Sequence, residues 1–261
     1  MVSVVTGAAR LNERSSFYFY LSLVFVAVAF GGFARTYVIP VATGTFAGPA
    51  IQHVHGILFL AWTVLLAVQT NLVARGRVER HRALGLVGIS LATAMVFTAV
   101  TLVVRGMGQA EAMGNGEGAR TLAVVPLTPI ALFVVLFCCA VANVRRPEIH
   151  KRFIMLASIA MLPPAIARVL LIFFGNGGTP NFAAAVGDTD LVLKASLGAA
   201  FIAYVPLIVV LAVRDWRTLG RPHRIYWIGG LAMIVVQLLR VPLARTELWH
   251  SAMNALLTLR S

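Results

Sequence analysis

Seven stretches of about 20 mostly apolar residues dominate the chain and limit the structures it can form. A helix needs this length and composition to cross the hydrocarbon core of a bilayer. The 261 residues are 59% hydrophobic and 12% charged, whereas soluble domains are about 25% charged. This composition excludes a soluble enzyme, a disordered chain and a fibrous repeat, and it predicts an all-α polytopic membrane protein. Spans 1 to 7 are predicted at 17–33, 51–73, 83–104, 122–143, 153–174, 191–213 and 225–243.

The basic residues alternate between the two sides of this arrangement. Of the 22 lysines and arginines, 14 lie in the tail 1–16 and in connections 74–82, 144–152 and 214–224, five lie on the other side, and three lie within predicted spans. Basic residues in short connections stay in the cytoplasm, so this split predicts the N-terminus inside and the C-terminus outside. The net charge of +13 is then a topology signal. The expected partner is the lipid bilayer, and no nucleic acid is expected.

The segments outside the spans differ in character. Connections 105–120 and 175–190 are rich in glycine and are predicted to be flexible surface loops. The C-terminal segment 244–261 follows the transmembrane domain 17–243, after the N-terminal tail 1–16, and its apolar residues recur at helical spacing. This pattern predicts an amphipathic helix at the outer interface. All nine acidic residues are placed in connections or tails, which argues against a pump driven by a membrane carboxylate.

Polar side chains at the start of span 2 and within it mark a first candidate site, because polar groups in a bilayer are costly. Residues two apart do not share a helical face. His53 and His55 are therefore candidate ligands of one metal ion only if the helix begins after them. His55, Trp62 and Gln69 recur every seven residues and form one stripe. This stripe is predicted to face protein or ligand, since lipid would leave Gln69 unsatisfied.

Spans 5 and 7 carry a second group of polar residues near their outer ends. Arg168 and Arg240 lie at a similar depth, and Gln237 lies one turn before Arg240. Pro163 and Pro164 interrupt the backbone hydrogen bonds of span 5 just before Arg168, so the freed carbonyls need partners. Two arginines at one depth also need an anion. The prediction is a pocket for an acidic group: a haem propionate, a lipid phosphate, a quinone-like head or a small carboxylate.

Residues of the chain itself are the alternative source of that anion. The acidic residues on the outer side are candidate partners, and the arginines could instead extend to the headgroups. A further cation near the outer end of span 6 would add charge to the pocket. The acidic candidates are Asp188, Asp190 and Glu247, and the further cation is Lys194.

Three histidines begin the spans that run from inside to outside. They are His81, His150 and His223, and each lies among arginines. Imidazole is an axial ligand of haem iron, and guanidinium groups match the propionates. His81 and His150 are therefore candidate ligands of a haem b held between spans 3 and 5. The alternatives are histidines at the headgroup boundary beside topology-setting arginines, and groups that transfer protons near neutral pH.

Several motifs between residues 50 and 250 form a set that resembles known proteins. They are H-V-H-G, W-x6-Q, R-H-R-x-x-G, R-R-P-E-I-H-K-R-F-I-M, G-R-P-H-R and R-V-P-L-A-R-T-E-L-W. The set is similar to a group of uncharacterised bacterial seven-helix inner-membrane proteins. That resemblance implies a multi-pass protein of the bacterial inner membrane, and it brings no established activity with it.

More remotely, the paired histidines resemble those of transmembrane b-type cytochromes of the ferric-reductase kind. In that family one haem is ligated from helices that match spans 3 and 5, and a second from helices that match spans 2 and 4. His81 and His150 match the first pair, and His55 matches one member of the second. Span 4 has no histidine, so a second haem is not implied unless His250 substitutes.

Three functional hypotheses follow. In the first, the protein binds haem b through His81 and His150 and transfers electrons to or from a redox partner or a quinone. In the second, it is a transporter or a lipid- or anion-binding protein that uses Arg168 and Arg240 near His55. In the third, it is a subunit whose function lies in assembly with a partner complex. The sequence leaves open whether the protein is an enzyme.

Overall fold

The computed structural model describes the backbone of residues 2–174 and 189–258 and the side chains of residues 16–170 and 189–258. Helices make up nearly all of these ranges, and no strand occurs in them. Seven helical segments are long and apolar enough to cross a membrane, which confirms the predicted class. Spans 1 to 7 run over Ser16–Ala42, Ala50–Ala74, Val78–Ala112, Gly116–Ala142, Pro147–Leu170, Thr189–Leu219 and Arg224–Leu243.

Some spans consist of more than one helix. Span 1 contains a π-helical turn, Ala34–Val38, between two α-helices. Span 5 is broken at Met161 and Leu162, because Pro163 and Pro164 cannot donate backbone hydrogen bonds. The helices are Val2–Phe33, Ile39–Ala42, Ala50–Ala74, Val78–Ala112, Gly116–Leu122, Val124–Ala142, Pro147–Ala160, Pro163–Phe174, Thr189–Leu219, Arg224–Leu243 and Glu247–Leu257.

One predicted loop is helical instead. The helix of span 3 continues to Ala112, and the next helix begins at Gly116. Gly114 has a φ of +79° in the tight turn between them, a conformation that favours glycine. The prediction of a flexible loop over 105–120 is therefore wrong, because both helices extend beyond the apolar part of their spans. Most of the other predicted loop, 175–190, lies outside the described residues.

The chain forms two compact units, Met1–Thr98 and Ala99–Ser261. In the first unit, spans 1 and 2 pack side by side, and the hydroxyl groups of Ser22 and Thr70 lie 2.9 Å apart. In the second unit, span 4 packs against the first half of span 5. Span 6 packs against the second half of span 5 and against span 7. The second unit therefore brings spans 5, 6 and 7 together.

The C-terminal segment forms the predicted helix, Glu247–Leu257. Its indole donor, Trp249 Nε1, lies 2.8 Å from the carbonyl oxygen of Arg120, and Met253 is buried against Val103 and Met107. Leu248 is 76% exposed on the opposite side. The helix thus buries one face against other helices of the second unit and leaves the other face exposed.

Candidate functional site

Span 6 supplies the partner for a carbonyl that the break in span 5 frees. In an unbroken helix the backbone N–H of residue 164 would donate to the carbonyl of Ala160. Pro164 has no such hydrogen. Instead the hydroxyl of Tyr204, which is fully buried, donates to this carbonyl at 3.2 Å. The prediction that the freed carbonyls need partners is confirmed for Ala160.

Tyr204 also contacts span 7, where Gln237 and Arg240 are buried. Gln237 Nε2 lies 3.5 Å from the hydroxyl oxygen of Tyr204, and Arg240 Nη2 donates to Ser196 Oγ at 2.8 Å. Gln237 is 1% exposed and Arg240 is 3% exposed. The four residues that these bonds connect, Ser196, Tyr204, Gln237 and Arg240, are called the Arg240 cluster below.

Arg168 lies in the second half of span 5, which packs against span 6. Ser196 lies eight residues before Tyr204, which is about 12 Å along the continuous helix of span 6. Arg168 lies eight residues after Ala160, on the other side of the break in span 5.

Spans 5 and 6 are antiparallel, because Tyr204 contacts Ala160 and the later residue Asp215 contacts the earlier residue Arg152. Arg168 and Ser196 therefore lie on the same side of the hydrogen bond between Tyr204 and Ala160. Arg168 Nη1 donates to the carbonyl of Pro164 at 2.9 Å. The common depth of Arg168 and Arg240 stays a prediction.

The positive charge of Arg240 has no carboxylate partner within residues 16–170 and 189–258. Of the acids considered as partners, Asp190 pairs with Arg245 on the surface, and Glu247 is exposed. Asp188 lies outside the described residues. Lys194 is exposed and adds no buried charge. Arg240 is thus held by a neutral hydroxyl group.

A second buried arginine in the same unit has the opposite surroundings. Arg152 and Asp215 form a bidentate ion pair, with Nε to Oδ2 and Nη2 to Oδ1 distances of 2.9 Å. Arg152 is 1% exposed and Asp215 is 2% exposed. The prediction that all acidic residues lie in connections or tails is wrong, because the helices extend into the predicted connections. The acids within helical spans are Glu79, Glu111, Glu117, Glu148, Asp190 and Asp215. Of these, Asp215 is buried and the others are exposed.

This ion pair belongs to a larger group at the start of spans 5 and 7, which is called the Arg152 cluster. Glu148, on the exposed side, accepts from Arg152 Nη1 at 2.8 Å. The guanidinium carbon lies 5.7 Å from the ring centre of Tyr226, and the backbone N–H of His223 donates to Asp215 at 3.3 Å. The cluster therefore joins the ends of three helices. Its members are Glu148, Lys151, Arg152, Asp215, His223 and Tyr226.

The side chain of His223 caps the N-terminus of the span 7 helix. Its Nδ1 accepts a hydrogen bond from the backbone N–H of Ile225 at 3.3 Å. Burial lowers the pKa of His223 below its usual value, and the charge of Arg152 lowers it further. Both the hydrogen bond and the electrostatics favour the neutral imidazole.

The two candidate haem ligands lie in different units, and each has a defined contact in its own. His150, half-buried in the first turns of span 5, donates from Nδ1 to the carbonyl of Ala140 at 2.9 Å. His81 lies in the first turn of span 3, and its backbone carbonyl accepts from Gln69 Nε2 at 3.2 Å. Gln69 therefore connects span 2 to the beginning of span 3.

The histidine pair of span 2 lies within the helix, which begins at Ala50. His53 contacts Tyr37 and Phe46, with ring centres 5.9 and 4.8 Å away. His55 packs against Phe59 at 4.2 Å, and its Nδ1 lies 3.5 Å from Thr98 Oγ1. The helix begins before both histidines, so the condition for sharing one metal ion is not met, and the two rings have different neighbours. Among the described side chains, no three His, Cys, Asp or Glu come together as a metal site.

Sequence reasoning missed several residues that the structure brings into these clusters, among them Ser196, Tyr204, Asp215 and Tyr226. Ser196 and Tyr204 occur in apolar spans where such residues attract no notice, although the two prolines of span 5 did indicate that a donor was needed. Asp215 follows the last apolar residues of span 6 and was assigned to the connection. Asp215 lies just beyond the predicted span 6, and the basic connection 144–152 is predicted on the same side of the membrane. This combination was the available sign of an ion pair.

The comparisons with known proteins add no relative. No family model matches the chain, and no curated protein and no solved structure matches it.

Proposed function

We propose that this integral membrane protein binds an anionic ligand at the Arg240 cluster, as a transporter or as a lipid- or anion-binding protein. The observation that supports the proposal is the burial of Arg240 without a carboxylate partner within the described side chains. A buried guanidinium group is costly unless an anion compensates its charge. Ser196 supplies one neutral hydrogen bond, so an anionic oxygen of a ligand would supply the missing charge.

The position of the cluster along the spans indicates how a ligand would reach it. Arg240 lies 16 residues after Arg224, which is about 24 Å along span 7. Ser196 lies only seven residues after the start of span 6 at Thr189. The cluster is therefore near one end of both helices. A small anion from solution and the phosphate of a lipid in that leaflet share the chemistry that the site would bind.

Thermal unfolding of the purified protein in detergent tests the proposal. Inorganic phosphate and acetate are titrated against chloride at constant ionic strength, and the midpoint is followed by circular dichroism. We expect stabilisation by at least one of the two anions, of about 1.4 kcal/mol at ten times Kd. Arg240→Gln removes the charge and is expected to abolish the stabilisation.

Arg245→Gln is the matched control, because Arg245 is exposed and pairs with Asp190 on the surface. This variant is expected to respond as the wild type does. Equal responses of the two variants, or no response of the wild type to any anion or lipid, would contradict the proposal. Native mass spectrometry with phosphatidylglycerol distinguishes a lipid phosphate from a free anion, and uptake of labelled phosphate or acetate into proteoliposomes distinguishes transport from binding.

A second candidate function is electron transfer by a haem b held by His81 and His150. One observation favours it: His150 donates from Nδ1 to a backbone carbonyl, which is how ligating histidines are commonly oriented towards a metal. A bound haem would supply one-electron redox chemistry, and a quinone or a redox protein would be its partner.

An absorption spectrum with a pyridine haemochrome assay tests this candidate in protein from haem-replete cells. A Soret band that is lost in His81→Ala and in His150→Ala, but retained in His223→Ala, is the expected result. The absence of a Soret band from the wild-type protein would contradict it.

A further inference from the structure

Two polar atoms of the Arg240 cluster remain without a partner in the part of the chain that the structure describes. They are Gln237 Oε1, which can only accept a hydrogen bond, and Arg240 Nε, which can only donate one. Both residues are almost fully buried. Residues three apart on a helix have Cβ atoms about 5–6 Å apart, so one small ligand can reach both side chains.

The break in span 5 determines which end of the Gln237 amide is left over. The single hydroxyl hydrogen of Tyr204 is used for the carbonyl of Ala160, because a carbonyl can only accept. Towards Gln237 the hydroxyl oxygen can therefore only accept, so it requires the NH₂ end of the amide at 3.5 Å. Gln237 Oε1 is left as the acceptor. The cluster thus offers a ligand one cationic donor and one neutral acceptor.

We infer that the ligand of the Arg240 cluster is a hydroxylated organic anion: a carboxylate or phosphate ester with a hydroxyl group close to its acidic oxygens. This inference rests on the proposed function. The acidic oxygens would accept from Arg240, and the hydroxyl group would donate to Gln237 Oε1. A ligand with an ammonium group as the donor is disfavoured, because it would bring a second positive charge beside Arg240.

Two sources can supply this chemistry. One is a soluble 2-hydroxy acid, and the other is a lipid with a free hydroxyl group beside its phosphate. In both cases a ligand without the hydroxyl would leave Gln237 Oε1 buried and unsatisfied, which costs affinity. Gln237 would therefore determine specificity, while Arg240 would supply binding common to all anions.

Matched ligand pairs test this inference on the intact protein. Lactate and propionate differ by one hydroxyl group, and phosphatidylglycerol has two headgroup hydroxyl groups that phosphatidylethanol lacks. Affinities come from thermal unfolding titrations for the acids and from native mass spectrometry for the lipids. We expect the hydroxylated member of at least one pair to bind about tenfold more tightly. In Gln237→Met the two members are expected to bind equally well.

Gln109→Met is the control, because Gln109 is exposed in the same unit, and it is expected to keep the preference. The ligand pairs need no variant, so the test remains valid if Gln237→Met does not fold. Equal binding of both members of both pairs, with binding still lost in Arg240→Gln, would overturn this inference and leave the proposed function in place. If no anion or lipid binds in a way that depends on Arg240, both are overturned.

Discussion

Arg152 and Arg240 are both buried arginines of the same unit, and they differ in what surrounds their charge. Arg152 forms a bidentate ion pair with Asp215, donates a hydrogen bond to Glu148 on its exposed side and lies over the ring of Tyr226. Arg240 has a serine hydroxyl. The charge of Arg152 is compensated by carboxylates of the chain itself, and these contacts join three helices. Arg240 lacks a counter-charge within the described residues, which is the property expected of a binding site rather than of a structural contact.

The largest expected effect is at the Arg152 cluster. Asp215→Asn would leave the guanidinium group of Arg152 buried without its paired charge, so we expect a loss of about 3–5 kcal/mol in the free energy of unfolding. The measurement is denaturant or thermal unfolding in detergent. The double variant Arg152→Met, Asp215→Leu removes both charges and is expected to recover most of the loss.

Glu148→Gln provides the control for this prediction. The side chain of Glu148 is 61% exposed and contacts the same arginine, and exposed pairs contribute about 0–1 kcal/mol. If Asp215→Asn lowered stability no more than Glu148→Gln, the buried pair would not be the structural contact that the geometry indicates.

A smaller effect is expected from the contact between span 5 and the Arg240 cluster. Tyr204→Phe would leave the carbonyl of Ala160 buried without a donor, at a cost of about 1–3 kcal/mol in unfolding free energy. Pro164→Ala restores the backbone donor four residues after Ala160, so it is expected to reduce the cost of Tyr204→Phe in a double-mutant cycle. Tyr20→Phe, at a residue that is 64% exposed, is the control. Strictly additive losses would contradict the assigned role of Tyr204.

These clusters show which parts of the molecule the sequence could predict. The seven spans follow from long apolar segments, because the bilayer requires that composition whatever the tertiary structure. Arg168 and Arg240 also stand out, since a cation in an apolar segment is rare. Asp215 could not be placed, because its burial depends on packing against Arg152, which is 63 residues away in the chain. The role of Tyr204 likewise depends on which helix lies beside the broken carbonyl.

The comparison of the two arginines becomes sharper when each is replaced by methionine in delipidated, anion-free protein. Arg152→Met would leave Asp215 buried and charged and is expected to destabilise strongly. Arg240→Met is expected to change the unfolding free energy by less than about 1 kcal/mol, or to stabilise. The substitution would orphan no further group, because Ser196 Oγ already donates to the carbonyl of Leu193 at 2.8 Å. Similar losses in both variants would indicate that Arg240 has its counter-charge within the chain.

The smallest expected effect is the pH dependence of the Arg152 cluster. The pKa of His223 is lowered in the folded protein, so the folded state binds a proton less readily than the unfolded chain. The contribution of the neutral His223 to the free energy of unfolding is therefore fully present above the usual pKa of about 6.5. It is lost progressively as the pH falls below that value. Protonation of Nδ1 would also remove the hydrogen bond from Ile225.

Thermal unfolding at a series of pH values from 7.5 down to 5 measures this loss in the wild type and in His223→Asn. Asparagine accepts hydrogen bonds at the start of a helix as well as any residue does, and it does not titrate. The variant is therefore expected to match the wild type at pH 7.5 and to lose less stability on acidification. Glu148, Lys151, Arg152 and Asp215 surround the imidazole and are unchanged in the variant. Parallel losses in both proteins would assign the acid sensitivity to those groups instead of His223.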